Sequence, residues 1–154
     1  MSSPLPLPMP ELVANPEIEP HLAGLRAGRL IVPVCQGCAE VVWYPRAFCA
    51  HCGRADVQWQ DCDGAGQIYS FSVVRQATGE FARSVPYILA YVELDVGARV
   101  LTNIIDIDVE DVRIGDRVEP VITADIERPI MRFRRVTPEE KGQPQVPDDR
   151  GSSS

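Results

Sequence analysis

Two Cys-x-x-Cys pairs, Cys35-Gln-Gly-Cys38 and Cys49-Ala-His-Cys52, stand ten residues apart and constrain this chain more than any other feature. A Cys-x-x-Cys turn presents two thiolates to one metal, and two facing turns complete a tetrahedral four-sulfur site. The short spacer predicts a small zinc ribbon with a compact β-hairpin between its two knuckles. Gly53, directly after the second pair, supplies the backbone freedom that such a knuckle needs. A closed four-thiolate site has no open position for a substrate, so the metal is expected to be structural, one ion per chain. Rival readings are a disulfide pair, an iron site with electron-transfer function, and redox catalysis by one pair. Four-sulfur geometry alone does not separate zinc from iron. The redox motif belongs at a helix N-terminus in a βαβ setting that this sequence does not offer.

The fifth cysteine, Cys62, reads as a small, partly buried thiol rather than a nucleophile, because His21 and His51 are the only imidazoles available as a base. His51 lies inside the second knuckle, where four cysteines already satisfy a metal. Five cysteines are too few for a disulfide framework and their odd number leaves one unpaired, which fits a reducing, cytoplasmic compartment. Neither a signal peptide nor a spanning apolar run is expected: the first basic residue is Arg26, and no run approaches ~18 apolar residues. The formal charge of −7 argues against duplex nucleic acid and anionic membrane as partners.

Outside the knuckles the chain divides by composition. Six of the fourteen prolines fall within the first twenty residues, so residues 1–19 should form an extended arm. From Pro20 to Gly28 the sequence predicts a short helix, with Leu22 and Leu25 on one face and Gly28 as its stop. Leu30-Ile-Val-Pro-Val34 reads as a strand feeding Cys35. Five further strands are expected at 68–74, 87–94, 99–107, 117–126 and 130–136, rich in β-branched and aromatic residues. Alternation of Tyr69, Phe71 and Val73 with Ser70 and Ser72 implies one buried face. Five short strands without a crossover helix favour a small antiparallel barrel or a sandwich. Residues 137–154 hold one aliphatic residue, Val146, among six charged ones, and are expected to be a disordered tail.

The order of these signals resembles one family. A helix ending in Gly-Leu-Arg-Ala-Gly-Arg-Leu is followed by a knuckle, Trp43-Tyr-Pro-Arg46, Cys49-Ala-His-Cys-Gly53, Trp59, Gly64-Ala-Gly66 and Ile68-Tyr-Ser-Phe71. Val85-Pro-Tyr-Ile-Leu-Ala-Tyr-Val-Glu-Leu-Asp95 and Ile114-Gly-Asp-Arg-Val118 continue the series. Over about Pro20 to Val136 this is similar to domain-of-unknown-function family thirty-five. The resemblance implies a mainly β chain: an N-terminal helix and rubredoxin-like zinc ribbon over 20–60, then a five-stranded OB-fold barrel over 61–136. It further implies a non-catalytic subunit that docks on a thiolase-superfamily enzyme as a hetero-oligomer and contacts a CoA thioester. Members serve aldol cleavage of steroid side chains, thiolysis of aromatic acyl-CoA, archaeal isoprenoid-precursor synthesis and phloroglucinol-type acyl transfer, and some are fused to acyl-CoA hydratases.

Within that frame Arg46, Arg54, Arg75 and Arg83 are candidates for CoA phosphates, each weighed against an ordinary solvated arginine. Trp43, Tyr44, Phe48 and Phe81 are candidates for an acyl channel. Core packing is the stronger expectation for Trp43 and Phe48, and exposure at an interface for Phe81. Two alternatives remain open at this point: a single-stranded nucleic-acid binder using Arg128, Arg132, Arg134 and Arg135, and a rubredoxin-like electron carrier.

Overall fold

A computed structural model of the 154-residue chain describes residues 5–13 and 15–137. The tail expected over 137–154 therefore lies, beyond its first residue, outside the described residues. Asn15 opens the ordered body: its Oδ1 accepts from the Glu17 amide at 3.0 Å and caps a single 3-10 turn, Pro16–Ile18. Helix α1 (Glu19–Arg26) follows, with Pro20 in its first turn and His21, Leu22, Gly24 and Leu25 on its buried face. At two turns it is too short to persist alone, so packing holds it. A Cβ on Gly24 would meet Ile31 Cγ1 at 2.9 Å, so the helix lies directly on the next strand.

Strand β1 (Leu30–Cys35) pairs antiparallel with β2 (Val57–Cys62) in register Leu30↔Cys62 to Cys35↔Val57. This corrects the expected hairpin between the knuckles. The intervening segment contributes only an isolated bridge, Val34↔Val41, and the ribbon's sheet is made by strands that flank the cysteines. Ten residues that must also carry two turns are too few for two paired strands. Strand β2 was not foreseen, because Val57-Gln-Trp-Gln-Asp-Cys62 buries none of its residues fully.

The remaining strands, β3 (Gly66–Val74), β4 (Tyr87–Leu94), β5 (Arg99–Ile105), β6 (Arg117–Thr123) and β7 (Ile130–Arg135), close into a barrel in the order β3-β4-β5-β7-β6. This is the expected five-stranded OB-fold. One pair, β5 with β7, runs parallel, so the barrel is not wholly antiparallel. The expected strands over 99–107 and 117–126 run two and three residues past the observed ends, Ile105 and Thr123. Asp106, at a φ of 57°, leaves the extended conformation directly after β5.

Strand β3 corrects a second expectation. Its pairing with β4 slips between Ile68 and Ser70, a bulge that places one extra residue in β3. The inward face changes parity there, from Gly66 and Ile68 to Phe71. Tyr69 therefore faces solvent, with the Arg99 guanidinium 3.8 Å from its ring centroid.

The barrel core is Phe133, Ile68, Ile88, Val92, Leu94 and Val118 with smaller neighbours, and Val41, Trp43 and Cys62 of the ribbon pack against it. His21 meets Trp43 edge-on at 5.3 Å, joining helix to ribbon. Arg26 Nε donates to the Ile126 carbonyl at 2.9 Å, joining helix to the loop after β6.

Candidate metal centre and surrounding surface

Each knuckle is built by the same set of backbone bonds. In the first, the Ala39 amide donates to the Cys35 carbonyl at 2.9 Å and the Gly37 amide to Cys35 Sγ at 3.4 Å. In the second, the Gly53 amide donates to the Cys49 carbonyl at 2.9 Å and the His51 amide to Cys49 Sγ at 3.3 Å. The Cys35 amide reaches the Glu40 carbonyl and the Cys49 amide the Arg54 carbonyl, closing both loops. The Cys35, Cys38, Cys49 and Cys52 sulfurs converge within 4.8 Å of one another. The closest separations are 3.5 Å for Cys35 to Cys52 and 3.6 Å for Cys38 to Cys49. A tetrahedron with ~2.3 Å bonds sets its sulfurs about 3.8 Å apart, so the cluster fits one metal ion.

Cys35 and Cys49 are fully buried, while Cys38 and Cys52 lie at the rim. The amides directed at sulfur favour thiolate. Cys35 is lowered to about 7, first by the Cys38 amide, against the opposing effect of burial. Cys38 is pushed up to about 12. A bond from the Glu40 backbone favours its thiolate, but burial and the three neighbouring thiols together outweigh that bond. Four thiols this close hold protons between them that a divalent cation would displace. The buried apolar cluster beneath the knuckles is small, Cys35, Val42 and Cys49 with Val57 packed against them, and Pro45 is buried in the segment between. Burying one valine is worth about 2 kcal/mol, whereas structural zinc contributes roughly 10 kcal/mol or more. A bound metal would therefore outweigh this apolar cluster in holding the two knuckles together.

The other candidates separate. Arg46 Nε donates to the Tyr44 carbonyl at 3.3 Å, and the Arg54 side chain covers Gly37, where a Cβ would meet its Cδ at 2.5 Å. Tyr44 and Phe48 are 52% and 51% exposed. Phe48 is thus not core, contrary to expectation, because the short loop turns it away from the Val42 cluster. Trp43 is half-buried against the barrel, as expected of a core residue. Phe81 is half-buried, its ring 5.7 Å from that of Tyr87, so it is less exposed than its loop context suggested. Arg75 pairs with Glu110 at 2.9 Å, and Arg83 offers its carbonyl to the Leu5 amide. Of the six, Arg54 alone is tied to the knuckles by a described contact, through its side chain over Gly37 and its carbonyl on the Cys49 amide, while Arg75, Phe81 and Arg83 have their contacts on the barrel side.

Cys62 lines a cleft of about 440 Å³ with Arg29, Asp61, Asp63 and Pro120. Burial pushes its thiol up, which suits a packed side chain and not a thiolate nucleophile. Among the arginines considered for nucleic acid, Arg134 pairs with Glu119 at 2.7 Å and Arg135 approaches Asp116 at 3.6 Å. Arg128 and Arg132 donate to carbonyls of the N-terminal arm. Among the described residues no helix is long and apolar enough to cross a membrane.

Known proteins share this two-part arrangement. Residues 22–58 match the ChsH2 rubredoxin-like zinc ribbon domain and residues 59–123 the ChsH2 C-terminal OB-fold domain. A DUF35 domain-containing scaffold protein of Methanothermobacter thermautotrophicus is 40% identical over 88 residues, which is 56% of this chain and 66% of that protein. A probable enoyl-CoA hydratase alpha subunit of Thermomonospora curvata is 33% identical over 117 residues, 73% of this chain and 35% of that protein. The chain thus spans about two thirds of the one relative and about a third of the other. Among solved structures, the chain is similar to one from the Ltp2-ChsH2(DUF35) aldolase, with a TM-score of 0.71 and 29% identity over 81% of this chain and 98% of that one.

Proposed function

The chain belongs to the DUF35 family of zinc-ribbon and OB-fold proteins, and on that premise we propose that it is a non-catalytic accessory subunit of a thiolase-superfamily enzyme acting on acyl-CoA. The observation that carries this reading is the similarity to a chain of the Ltp2-ChsH2(DUF35) aldolase, over 98% of that chain. The name of the Thermomonospora relative adds a link to acyl-CoA chemistry.

In this reading Cys35, Cys38, Cys49 and Cys52 hold one structural zinc, and covalent chemistry belongs to the partner. The raised Cys62 thiol and the burial of His21 against Trp43 support that division, since neither is poised as nucleophile or base. The subunit works by positioning: ordering a partner loop or an acyl chain raises rate without adding a reacting group. The ribbon segment that carries Arg46 and Arg54 also carries exposed Tyr44 and Phe48, so it offers both cationic forks and aromatic surface. That combination suits CoA phosphates and the neighbouring face of a partner.

Co-expression with the thiolase-like protein encoded nearest to it tests the proposal. A co-purifying complex is expected, with acyl-CoA turnover lower by about tenfold or more for the partner alone, and Phe48→Ala should weaken association. A monodisperse single chain that never alters the partner's turnover overturns the reading.

A further inference from the structure

The arm expected over 1–19 ends sooner, since Pro16–Ile18 form a 3-10 turn and Glu19 begins α1. Residues 5–13 have no regular secondary structure, yet Leu5 to Met9 lie against the barrel, and every carbonyl from Pro6 to Met9 is taken by a donor from the body. Ser84 Oγ donates to the Pro6 carbonyl at 3.0 Å. The Arg132 guanidinium spans the next two, at 3.5 Å to Leu7 and 2.6 Å to Pro8. Arg128 Nη1 reaches the Met9 carbonyl at 3.3 Å. Among the described residues, the one backbone bond in the opposite sense runs from the Leu5 amide to the Arg83 carbonyl at 3.0 Å.

Toward the arm this surface uses four side-chain donations and one backbone acceptor, with the Asp106 carboxylate also on the groove wall. That excess of donors matches a strand in which every second residue is proline and lacks an amide. Beneath the strand is an apolar groove of about 390 Å³, lined by Tyr87, Ile88, Ile104, Ile107 and Arg132, with Leu5 and Leu7 on its arm side. Arg132 projects from β7 into this wall. Among the described residues it has no carboxylate partner, and its Nε is buried without a hydrogen bond. Its guanidinium is thus satisfied mainly by peptide carbonyls.

We propose that the seat over this groove is a recognition site for an extended, proline-alternating peptide, read by Ser84, Arg132 and Arg128, and that the chain's own Leu5–Met9 occupies it in cis, roofing the groove. The polyproline conformation is ordered before it binds, so little entropy is lost on seating. Tethering keeps the arm at an effective concentration in the millimolar range, so even a weak intrinsic affinity keeps the seat occupied. A partner segment of the same Leu-Pro-Leu-Pro pattern gains access only by displacing the arm.

The test uses the full chain with Leu5→Asp and Leu7→Asp, which empties the seat through side chains that are exposed and half-buried in the folded protein. A fluorescein-labelled synthetic peptide with the sequence of residues 3–12 is titrated by anisotropy. Binding is expected to be about tenfold tighter, or more, to the emptied chain than to the wild type. Adding Arg132→Met to the emptied chain should abolish it, and a peptide with alanine at its prolines should bind several-fold more weakly. Equal binding to filled and emptied chains, no binding to an emptied chain that keeps its zinc and circular dichroism, or indifference to Arg132→Met each overturns the proposal. Hydrogen exchange on the wild-type chain gives a second readout: the Leu5 amide should be protected at least about tenfold, with protection lost in Arg132→Met, and exchange at the free-peptide rate in the wild type overturns it.

Discussion

Ala39 and Gly53 occupy equivalent positions in the two knuckles, each with its amide on the carbonyl of the first cysteine of its pair, at φ values of 62° and 75°. Both sit in the left-handed region, where a Cβ costs roughly 1–2 kcal/mol and glycine costs almost nothing. The second knuckle therefore has the residue that its backbone requires and the first does not. Ala39→Gly should raise the melting temperature by a few degrees and Gly53→Ala should lower it by a similar amount, since 1 kcal/mol corresponds to about 2–8 °C in a domain of this size. No atom lies within 4 Å of a Cβ built on Gly53, so the second substitution isolates backbone conformation from crowding. Differential scanning calorimetry with zinc saturated reads both; a shift of the same sign for the two variants contradicts the assignment.

Metal removal should unfold the ribbon. The cluster of Cys35, Val42 and Cys49 around the knuckles, with Val57 against it, buries too little apolar area to replace the ~10 kcal/mol of metal binding. A colourless preparation carrying about one zinc per chain is expected. Chelation should release the Trp43 and Trp59 region to solvent while the β signal of the barrel persists. Cys35→Ser, at a buried ligand, should be at least as damaging as Cys52→Ser at the rim. A red, iron-bearing protein or a melting curve indifferent to chelation would refute this.

The metal centre was legible because coordination chemistry fixes ligand type and spacing together, and Cys35, Cys38, Cys49 and Cys52 satisfy both. The barrel was legible because β-branched and aromatic runs recur between turn residues. Strand β2 was hidden: Gln58 and Gln60 alternate with Val57 and Trp59, but the strand is held by pairing to β1 more than by burial. The exposure of Tyr69 was hidden as well, since a bulge reverses parity without leaving a signal in the residues beside it. The seat of the arm was hidden for a different reason. It joins Leu5 to Arg83 and Pro8 to Arg132, contacts across most of the chain that no local pattern encodes.

The barrel seam places a strict limit on Gly66, where β3 pairs with both β4 and β6. A Cβ there would stand 2.5 Å from the Glu93 carbonyl oxygen, a backbone atom of the neighbouring strand that cannot swing aside. Gly66→Ala should therefore force the β3–β4 ladder apart and destabilise the fold by about 2–3 kcal/mol, in the range for overpacking. Urea unfolding followed by far-ultraviolet circular dichroism measures it. A loss below ~0.5 kcal/mol would mean that the seam is looser than this packing implies.

His21 links stability to pH. Its imidazole lies on the buried face of α1, 5.3 Å from Trp43, with Nδ1 3.2 Å from the Ile31 carbonyl. Desolvation holds its pKa below the usual histidine value of 6.5, only partly opposed by the bond to Ile31. A lowered pKa means that the folded state binds fewer protons than the unfolded state below pH 6.5. The neutral imidazole thus stabilises the fold fully above pH 6.5, and that contribution is lost as pH falls through the folded-state value, at up to about 1.4 kcal/mol per pH unit. His21→Gln keeps a polar group near the Ile31 carbonyl but cannot titrate. Protonation of carboxylates and cysteine ligands affects both proteins, so the wild-type minus variant difference in unfolding free energy isolates the imidazole. That difference should be flat from pH 8 to about 7 and fall as the pH is lowered from 6.5 to 5. A difference that stays constant across the range would show that His21 has the same proton affinity folded and unfolded, and would remove the edge-on contact with Trp43 as the source of any acid sensitivity in the joint between helix and ribbon.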